Sequence, residues 1–478
     1  MQEEESSLLI GREEERAELL GAAASRQSAF VVVYGRRRVG KTFLVRQTFG
    51  GSFAFQCSGL AKEGRARQLE NFRDALREAG ARDAPALADW FAAFNALRDH
   101  LKGLPAGKKT VFLDEMPWMD TPKSHFVSAL EHFWNGWASA RRDIVLVVCG
   151  SATSWLVRKI FRDHGGLHDR VTHSIRLLPF ALRECEAFAK DAGLGWTRRQ
   201  ILQCYMAFGG VPYYWSLLRR GRSVAQNIDA LCFSERGALR TEFDRLFSSL
   251  FGADGAHRRI VETLAEARRG LLRSELLDRL GEGGGGTLSS RLDDLESCGF
   301  VRRYRDFGKR AKESRYQLVD EFSLFHIRFV RASDPTASGA WLDGVGSQAR
   351  AAWEGLAFEL ACLRHVDQIR KALGIAGVLA GVCSWSFRGS DGRTGAQVDL
   401  LLDRKDGIVN LCEMKFSDGP YSIDKKEEEA VLRRLSVFRR ETGTRKGVHV
   451  TFVTPDGLAR NSHRDVAQSE VTGDDLFA

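Results

Sequence analysis

The chain has 478 residues, of which 44% are apolar, and a formal net charge of +9 at pH 7. Because one ordinary domain is shorter than this, about three or four domains are expected. A run of about 18 apolar residues, as a membrane span requires, is missing, and the acidic start MQEEESSLLIGREEE lacks the apolar core of a signal peptide. Nine scattered cysteines without a C-x-x-C pair favour reduced thiols and argue against a zinc site. We therefore expect a cytoplasmic protein with no membrane partner, whose modest positive charge permits nucleic-acid binding.

The first motif is a phosphate-binding loop between a strand and a helix. β-Branched residues 31–33 lead into GRRRVGKT, which fulfils the pattern G-x-x-x-x-G-K-T in the context that it requires. Glycines let backbone N–H groups surround phosphates, and the start of the following helix favours negative charge. Lys41 is predicted to reach the β- and γ-phosphates, and Thr42 to offer its hydroxyl to Mg²⁺. The residues predicted to bind the nucleotide here are Gly35, Arg36, Arg37, Arg38, Val39, Gly40, Lys41, Thr42 and Phe43.

Two further strands end in polar residues that suit the same site. The stretch KKTVFLDEMPWMD ends its apolar run at Asp114 and Glu115. We assign Asp114 to the metal and Glu115 to activation of the attacking water, against the alternative of an acidic turn. The stretch DIVLVVCGSATSWL is apolar up to Gly150 and Ser151. Ser151 is predicted either to sense the γ-phosphate at the ligand-binding end of a parallel sheet, or to cap a following helix.

In their order along the chain, these motifs resemble the archaeal-type ATPases of the AAA+-related STAND group of P-loop NTPases. The resemblance also includes LLIGREEERAEL, LLPFALRECEAF and FGGVPYYW, and it covers essentially the whole length. It implies ATP as the nucleotide, with Mg²⁺, and it implies that the upstream Gly-Arg-x-x-Glu segment frames this nucleotide. In this sequence the segment supplies Gly11, Arg12 and either Glu14 or Glu15.

The same resemblance assigns three residues outside the core motifs. Gly210 and Pro212, in a Gly-x-Pro segment of a helical lid, are expected to approach the base. Arg170 follows a predicted helix, where AAA+ relatives carry an arginine finger that acts on the nucleotide of a neighbouring subunit. Because STAND proteins commonly lack this finger, pairing with an acidic lid residue stays an alternative role for Arg170.

The middle of the chain reads as helices followed by a winged-helix pattern. Residues 181–250 show mixed apolar spacing and form the predicted lid. In residues 251–335, short helices and a longer one precede two strands around a basic turn, RDFGKRAKES. DNA contact through this domain and a purely packing role stay open, since the longer helix also carries acids. That helix is expected to expose Ser289, Ser290, Arg291 and Asp293, and the turn carries Arg305, Lys309, Arg310 and Lys312. The arginines and lysines among these residues are the candidates for phosphate contacts, whereas Asp293 would repel phosphates.

The C-terminal region contains a second candidate site. The stretch AQVDLLLDRKDGIVNLCEMKFS predicts a hairpin with Asp399 on one strand and Glu413-x-Lys415 ending the next. Together with Glu359 on a preceding helix, this resembles the PD-(D/E)XK nucleases, with Gln397 beside the acids and Glu354 as second choice for the helical one. The resemblance implies Mg²⁺ ligation by Glu359, Asp399 and Glu413, while Lys415 orients water or stabilises charge. A salt-bridged hairpin and a decayed, non-catalytic fold stay open.

The expected fold is an α/β multidomain chain. It comprises a P-loop ATPase core (1–180), a helical lid (181–250), a winged helix (251–335) and a PD-(D/E)XK nuclease-like domain (336–478). The leading interpretation is an ATPase that regulates metal-dependent cutting of nucleic acid in defence or mobile-element biology. DNA is the expected partner, and the choice between DNA and RNA stays open. The alternative is a STAND-type signalling switch with a non-catalytic scaffold, and a ring-forming DNA-remodelling motor ranks third. A homo-oligomer is compatible with each of these interpretations.

Overall fold

The computed structural model forms two compact units, which separate between Leu178 and Pro179. This boundary lies close to the predicted end of the ATPase core at residue 180. The finer division of the second unit into lid, winged helix and C-terminal domain stays a prediction. The structure describes residues 9–151, 153–156, 159–160, 167, 169–252, 254–281, 285–310, 313–334, 339–344, 346–389 and 394–478.

A parallel five-stranded sheet lies at the centre of the first unit. Its strands are β1 (Ala29–Tyr34), β2 (Phe55–Ser58), β3 (Lys109–Asp114), β4 (Ile144–Gly150) and β5 (His173–Arg176). Their order across the sheet is β2-β3-β4-β1-β5, and every neighbouring pair is parallel. Strands β3 and β4 are buried along their whole length, which explains their nearly continuous apolar sequences. The polar ends of β1, β3 and β4 therefore meet at one edge of the sheet.

Helices cover both faces of this sheet. On one face Leu19 and Leu44 pack against Val31 and Val33 of β1. On the other face an aromatic cluster around Phe72 contains residues of three helices. The helices of this unit are α1 (Glu13–Ala24), α2 (Lys41–Phe49), α3 (Arg65–Glu78), α4 (Trp90–Gly103), α5 (Phe126–Gly136) and α6 (Thr153–Leu156).

The second unit begins with a helical segment. Gly210 shows why a glycine is needed here, since a Cβ at this position would lie 1.8 Å from the Phe180 carbonyl oxygen. The Phe180 N–H in turn donates to the Gly210 carbonyl oxygen. The helices of this segment are α7 (Leu182–Asp191), α8 (Arg198–Phe208), α9 (Pro212–Ser216), α10 (Val224–Ile228) and α11 (Glu242–Phe251).

A small antiparallel sheet with three helices follows. The elements are α12 (Ala256–Ala265), β6 (Leu271–Leu272), α13 (Arg273–Leu280), α14 (Gly285–Ser297), β7 (Val301–Tyr304) and β8 (Arg315–Leu318), with the strands in the order β6-β8-β7. Leu288, Leu292 and Leu295 are fully buried, as the spacing along α14 predicts. Four helices lead on from β8: α15 (Glu321–Phe325), α16 (Ala340–Asp343), α17 (Gln348–Arg364) and α18 (Val366–Ala372).

The C-terminal part contains a mixed five-stranded sheet. Its elements are β9 (Ala380–Phe387), β10 (Ala396–Arg404), β11 (Ile408–Met414), α19 (Lys425–Thr442), β12 (Gly447–Thr454) and β13 (Ser469–Thr472). The order is β13-β12-β11-β10-β9, antiparallel among β9, β10 and β11 and parallel among β11, β12 and β13. Helix α17 contacts β11, while Phe438 of α19 packs with Leu401 and Leu411 on the other face. The predicted β10–β11 hairpin is thus present, and Leu400 lies opposite Cys412.

Within the described part of the chain, we find no helix that combines the length and the apolar character needed to cross a bilayer.

Candidate nucleotide site and C-terminal acidic site

The loop between β1 and α2 has a backbone shape that depends on its glycines. Gly35 has φ 153°, and a Cβ there would lie 2.2 Å from the Leu177 carbonyl oxygen. Gly40 has φ 90° and caps the start of α2, a conformation that residues with a Cβ adopt with strain. The loop therefore curls around the first turn of α2, which is the geometry that exposes backbone N–H groups to phosphates.

Lys41 fills the interior of this loop. Its side chain is buried, and its ammonium donates to the carbonyl oxygens of Gly35 and Arg36 at 3.0 and 2.9 Å. The same ammonium donates to the Ser151 hydroxyl at 3.0 Å. These acceptors are neutral, and phosphate oxygens are stronger partners for an ammonium. The loop and its lysine therefore fit a nucleotide phosphate group.

Two oxygen-bearing side chains meet at the start of α2. The Thr42 hydroxyl lies 2.9 Å from Asp114 Oδ2, and it is a donor to this carboxylate. Burial raises the pKa of Asp114; the Thr42 hydrogen bond opposes this rise, and the neighbouring charge of Glu115 adds to it. A hydroxyl beside a carboxylate is a ligand set that Mg²⁺ prefers. Thr42 and Asp114 therefore fit the predicted magnesium role.

Glu115 is connected to Lys41 through Ser151. The Ser151 hydroxyl donates to Glu115 Oε1 at 2.6 Å, and the Ser151 N–H donates to Oε2 at 3.2 Å. Glu115 adopts a left-handed backbone conformation with φ 44°, which is strained for a residue with a long side chain. The Ser151 hydroxyl thus contacts both the Lys41 ammonium and the Glu115 carboxylate.

The upstream Gly-Arg segment lies in the same unit. Arg12 is left-handed with φ 67° and buried, and its guanidinium donates to the Leu178 carbonyl oxygen at 2.6 Å. It also pairs with Glu15 at 3.3 Å, so Glu15 is an acidic partner of Arg12. Gly11, which precedes it, has φ 64°. Of the other loop residues, Arg36 and Val39 are buried, Arg38 is half-buried, and Arg37 and Phe43 are exposed.

Arg170 lies at the opposite edge of the sheet from the phosphate loop. It lies in the turn before β5, and His173 pairs with Val31, so this turn lies beside the start of β1. About seven residues of extended chain, roughly 20 Å, separate this level from Gly35. Arg170 therefore does not reach the phosphates of its own chain, and its role toward another subunit stays a prediction. Gly210 and Pro212 belong to the second unit, and their approach to the base also stays a prediction.

The C-terminal site brings Glu359 and Asp399 into electrostatic range of each other. Glu359 lies on α17 and is 8% exposed, and its carboxylate forms an ion pair with Arg268, with an Nε–Oε2 distance of 3.2 Å. Burial and the charge of Asp399 raise the pKa of Glu359 to about 7, which Arg268 opposes. Asp399 is half-buried and accepts from Gln397 Nε2 at 2.5 Å. Arg302 also lies within electrostatic range of Asp399.

Glu413 and Lys415 both reach α19. Glu413 forms an ion pair with Arg434, and burial raises the pKa of Glu413 although this guanidinium opposes the rise. Lys415 Nζ lies 2.9 Å from Glu427 Oε1. Burial lowers the pKa of Lys415, but the hydrogen bond and the charge of Glu427 outweigh this effect and raise it overall. The described residues contain no cluster of three or more His, Cys, Asp or Glu side chains able to hold a metal.

Several partners of these residues were not identified from the sequence. Ser58 ends β2 and lies 3.5 Å from Asp114 Oδ2. Arg268, Glu427 and Arg434 bind the C-terminal candidates, and Glu354, the second choice on α17, pairs instead with Arg350. A charge pattern was available for α19, because Glu427 and Arg434 are seven residues apart and lie on one helix face.

The predicted DNA-contacting residues are partly engaged within the protein. The Ser289 hydroxyl accepts from Arg273 at 2.9 Å, and Lys309 pairs with Glu313 at 3.2 Å. Glu296 of α14 pairs with Arg303 of β7 at 3.7 Å, so one of the acids on that helix is neutralised. Lys312 lies outside the described residues. Exposed Arg305 and Arg310 remain candidates for phosphate contacts.

Comparison with known proteins finds similarity to P-loop ATPases in residues 27–186. Residues 27–186 match the family model of the AAA domain. The uncharacterized protein MJECL04 of Methanocaldococcus jannaschii is 24% identical over 423 residues, covering 86% of this chain and 88% of that protein. Similar solved structures include the Walker-type ATPase paby2304 of Pyrococcus abyssi (16% identity, TM-score 0.48, 67% of this chain and 96% of that one). Another is the ORC2 protein of Aeropyrum pernix (17%, 0.39, 67% and 93%). A third is the STAND protein PH0952 of Pyrococcus horikoshii (13%, 0.32, 77% and 50%). Residues 27–186 thus match the AAA domain, and the loop geometry within them is that of a P-loop ATPase.

Proposed function

We propose that this protein hydrolyses ATP and that its nucleotide state regulates a C-terminal, Mg²⁺-dependent nuclease-like domain acting on nucleic acid, with DNA as the proposed substrate. The hydrolytic part is carried by one observation. Lys41, Ser151 and Glu115 are joined by hydrogen bonds of 3.0 and 2.6 Å, beside the Thr42–Asp114 pair. A phosphate-binding cation, a metal-binding oxygen pair and a candidate base are therefore adjacent at one edge of the sheet.

The residues of this edge divide the work of phosphoryl transfer. Lys41 would bind the β- and γ-phosphates, and Thr42 and Asp114 would hold Mg²⁺, whose charge would neutralise that of the phosphates. Glu115 orients the attacking water and accepts its proton. Ser151 donates to both oxygens of Glu115 through its hydroxyl and its N–H, and it accepts from Lys41. Ser151 therefore links the phosphate-binding cation to the carboxylate that would orient the attacking water.

The nuclease-like part is supported by the topology and by the positions of two residues. Along the chain, α17 and α18 precede the antiparallel strands β9, β10 and β11, and these are followed by α19, β12 and β13. Glu413 and Lys415 both pair with residues of α19. Glu359 and Asp399 suit Mg²⁺, which commonly binds through one or two carboxylates and keeps several waters. Glu413 is engaged by Arg434 and does not join them in this conformation. The helix and strand order of residues 256–318 supports a winged helix beside this site.

A second candidate function is a STAND-type switch whose C-terminal domain is a non-catalytic scaffold. The observation that favours it is that Glu359 and Glu413 each have an arginine partner within the protein. Ion pairs of this kind suit a structural role as well as a closed catalytic site. For either function, a homo-oligomer that uses Arg170 between subunits is an additional proposal, tested by sedimentation with and without ATP.

The two functions are separated by assaying ATP hydrolysis and DNA cleavage on one set of variants. Lys41→Ala should abolish nucleotide binding, and Glu115→Gln should keep binding but slow hydrolysis by about 100-fold or more. Lys102→Ala, an exposed lysine on α4, is the control for Lys41→Ala. If neither Lys41→Ala nor Glu115→Gln reduces hydrolysis, the assignment of this site is wrong.

Cleavage is measured on plasmid, linear and single-stranded DNA with Mg²⁺ or Mn²⁺, with and without ATP. Lys415→Ala should abolish cutting, whereas Lys426→Ala, an exposed lysine on α19, should not. Cleavage that depends on Lys415 and changes in Lys41→Ala supports the regulated nuclease. If wild-type protein cuts none of these substrates, the scaffold function is favoured.

A further inference from the structure

The candidate metal site of the C-terminal sheet is in contact with an arginine from a different part of the second unit. Arg268 lies in the loop between α12 and β6, and its guanidinium forms the ion pair with Glu359 on α17. The two residues are 91 positions apart in the chain. Asp399, on β10, adds a second negative charge that acts on both Glu359 and Arg268. A cation supplied by the protein thus lies beside the two carboxylates that suit a divalent metal.

The loop that carries Arg268 is fixed by three separate contacts. Gln317 of β8 donates through Nε2 to the Arg268 carbonyl oxygen at 2.7 Å. The Tyr304 hydroxyl donates to the carbonyl oxygen of Arg269. Gly270 has φ 67°, and a Cβ there would lie 2.2 Å from the Tyr316 carbonyl oxygen. Because the backbone on both sides of Arg268 is held, this side chain is presented to Glu359 in a defined position.

The same amide organises a second arginine toward the site. Gln317 accepts through Oε1 from Arg302 Nε at 2.8 Å, and the Arg302 guanidinium lies 4.5 Å from the centre of the Tyr304 ring. The charge of Asp399 acts on Arg302 as well. Gln317 is 7% exposed, so one buried side chain orders both arginines.

We propose that Arg268, with Arg302 behind it, is a built-in counter-ion that keeps divalent metal out of the Glu359–Asp399 site, and that displacing the α12–β6 loop opens this site. The proposal rests on the proposed function for its biological meaning. It follows from competition, because a guanidinium and a metal ion need the same carboxylate oxygens. The loop therefore couples the position of the α12–β8 segment to metal loading of the C-terminal sheet.

Mn²⁺ binding to the nucleotide-free, full-length chain, followed by electron paramagnetic resonance, tests the proposal without relying on activity. Arg268→Met removes the charge and keeps the apolar stem. It should gain one Mn²⁺ site at least about tenfold tighter than any C-terminal site of wild type. Adding Asp399→Asn should remove this gain. Arg268→Lys, which keeps a cation, and Arg269→Met, which changes the neighbouring arginine, should bind Mn²⁺ as wild type does.

Gln317→Ala provides a second route, because it releases the loop while leaving both carboxylates and Arg268 unchanged. It should raise Mn²⁺ affinity in the same direction, and it replaces Arg268→Met should that variant fail to fold. If both variants bind Mn²⁺ no better than wild type, or if the gain survives Asp399→Asn, the proposal is wrong.

Failure of the proposed nuclease activity is distinguishable from failure of this inference. If Arg268→Met gains the Asp399-dependent Mn²⁺ site but the protein cuts no DNA, the counter-ion proposal stands and the nuclease proposal is wrong. If the wild-type protein cuts DNA in a Lys415-dependent way but Arg268→Met leaves the Mn²⁺ affinity unchanged, the nuclease proposal stands and the counter-ion proposal is wrong.

Discussion

His365 offers a sharp test of how the second unit is held together. It follows α17 and is 1% exposed. Its Nδ1 lies 2.7 Å from the Ala361 carbonyl oxygen, and its Nε2 lies 3.0 Å from the Leu182 N–H at the start of α7. Since Ala361 can only accept and Leu182 N–H can only donate, the ring is neutral with its proton on Nδ1. Protonation of Nε2 would break the hydrogen bond from the Leu182 N–H to this ring. Two perturbations therefore test the contact: a lower pH, and His365→Gln, which removes the titrating group.

The magnitude follows from the pKa and its direction. Burial lowers the pKa of His365 from 6.5 to about 4, although the Ala361 hydrogen bond opposes this effect. Below pH 6.5 the unfolded chain binds a proton that the native state refuses, so stability is lost as the pH falls toward 4. Two and a half pH units correspond to about 3 kcal/mol. Glu359 acts in the opposite sense, because its raised pKa lets the native state retain a proton between pH 4.5 and 7.

Because these contributions oppose each other in the wild type, the measurement is the difference between variants. Free energies of unfolding are taken from urea titrations at pH 7, 6, 5 and 4. Wild type should exceed His365→Gln by about 1–2 kcal/mol at pH 7, as expected for a lost buried hydrogen bond. This difference should fall by about 3 kcal/mol by pH 4.

A substitution on the same segment serves as the control. Lys371→Gln, an exposed change on α18, introduces no group that titrates in this range and should parallel wild type at every pH. Hydrogen exchange of the Leu182 amide should accelerate in His365→Gln at constant pH. A wild-type minus His365→Gln difference that is independent of pH would refute the assignment of a buried, neutral imidazole.

Two further predictions concern backbone and charge. Gly35→Ala places a Cβ 2.2 Å from the Leu177 carbonyl oxygen, so it should weaken nucleotide binding by about tenfold or more and lower the free energy of unfolding by about 1–3 kcal/mol. The control is Gly21→Ala in α1, where a Cβ meets nothing within 4 Å, and it should raise the free energy of unfolding by about 0.5–1 kcal/mol. Equal calorimetric stabilities of the two variants would contradict the steric argument. Arg434→Met leaves the Glu413 carboxylate buried without its partner, so the free energy of unfolding measured in urea should fall by about 2–3 kcal/mol. The double variant with Glu413→Gln should regain most of this free energy. If the double variant is as unstable as the single one, Arg434 acts through packing alone.

The nucleotide site illustrates what a local pattern can predict. The loop motif specifies glycine conformations, a buried cation and a helix start, and these need only neighbouring residues. Asp114, Glu115 and Ser151 were also predicted to meet the loop, because the carboxyl ends of parallel strands share one edge of a sheet. Their hydrogen bonds agree with this geometry. The left-handed backbone of Glu115 has no signal in the sequence, and the position of Ser58 beside Asp114 depends on how β2 and β3 pair.

The C-terminal site shows the limit of the same reasoning. The sequence by itself determined the hairpin, the positions of Asp399 and Glu413 on its two strands, and the helix that carries Glu359, because strand and helix periods are local properties. Only the tertiary structure decided that Arg268 and Arg434 pair with two of the acids. These arginines lie 91 and 21 residues away from their partners, and their positions depend on how whole elements pack. Charge pairs between distant elements have no sequence period, so the state of this site follows from the fold.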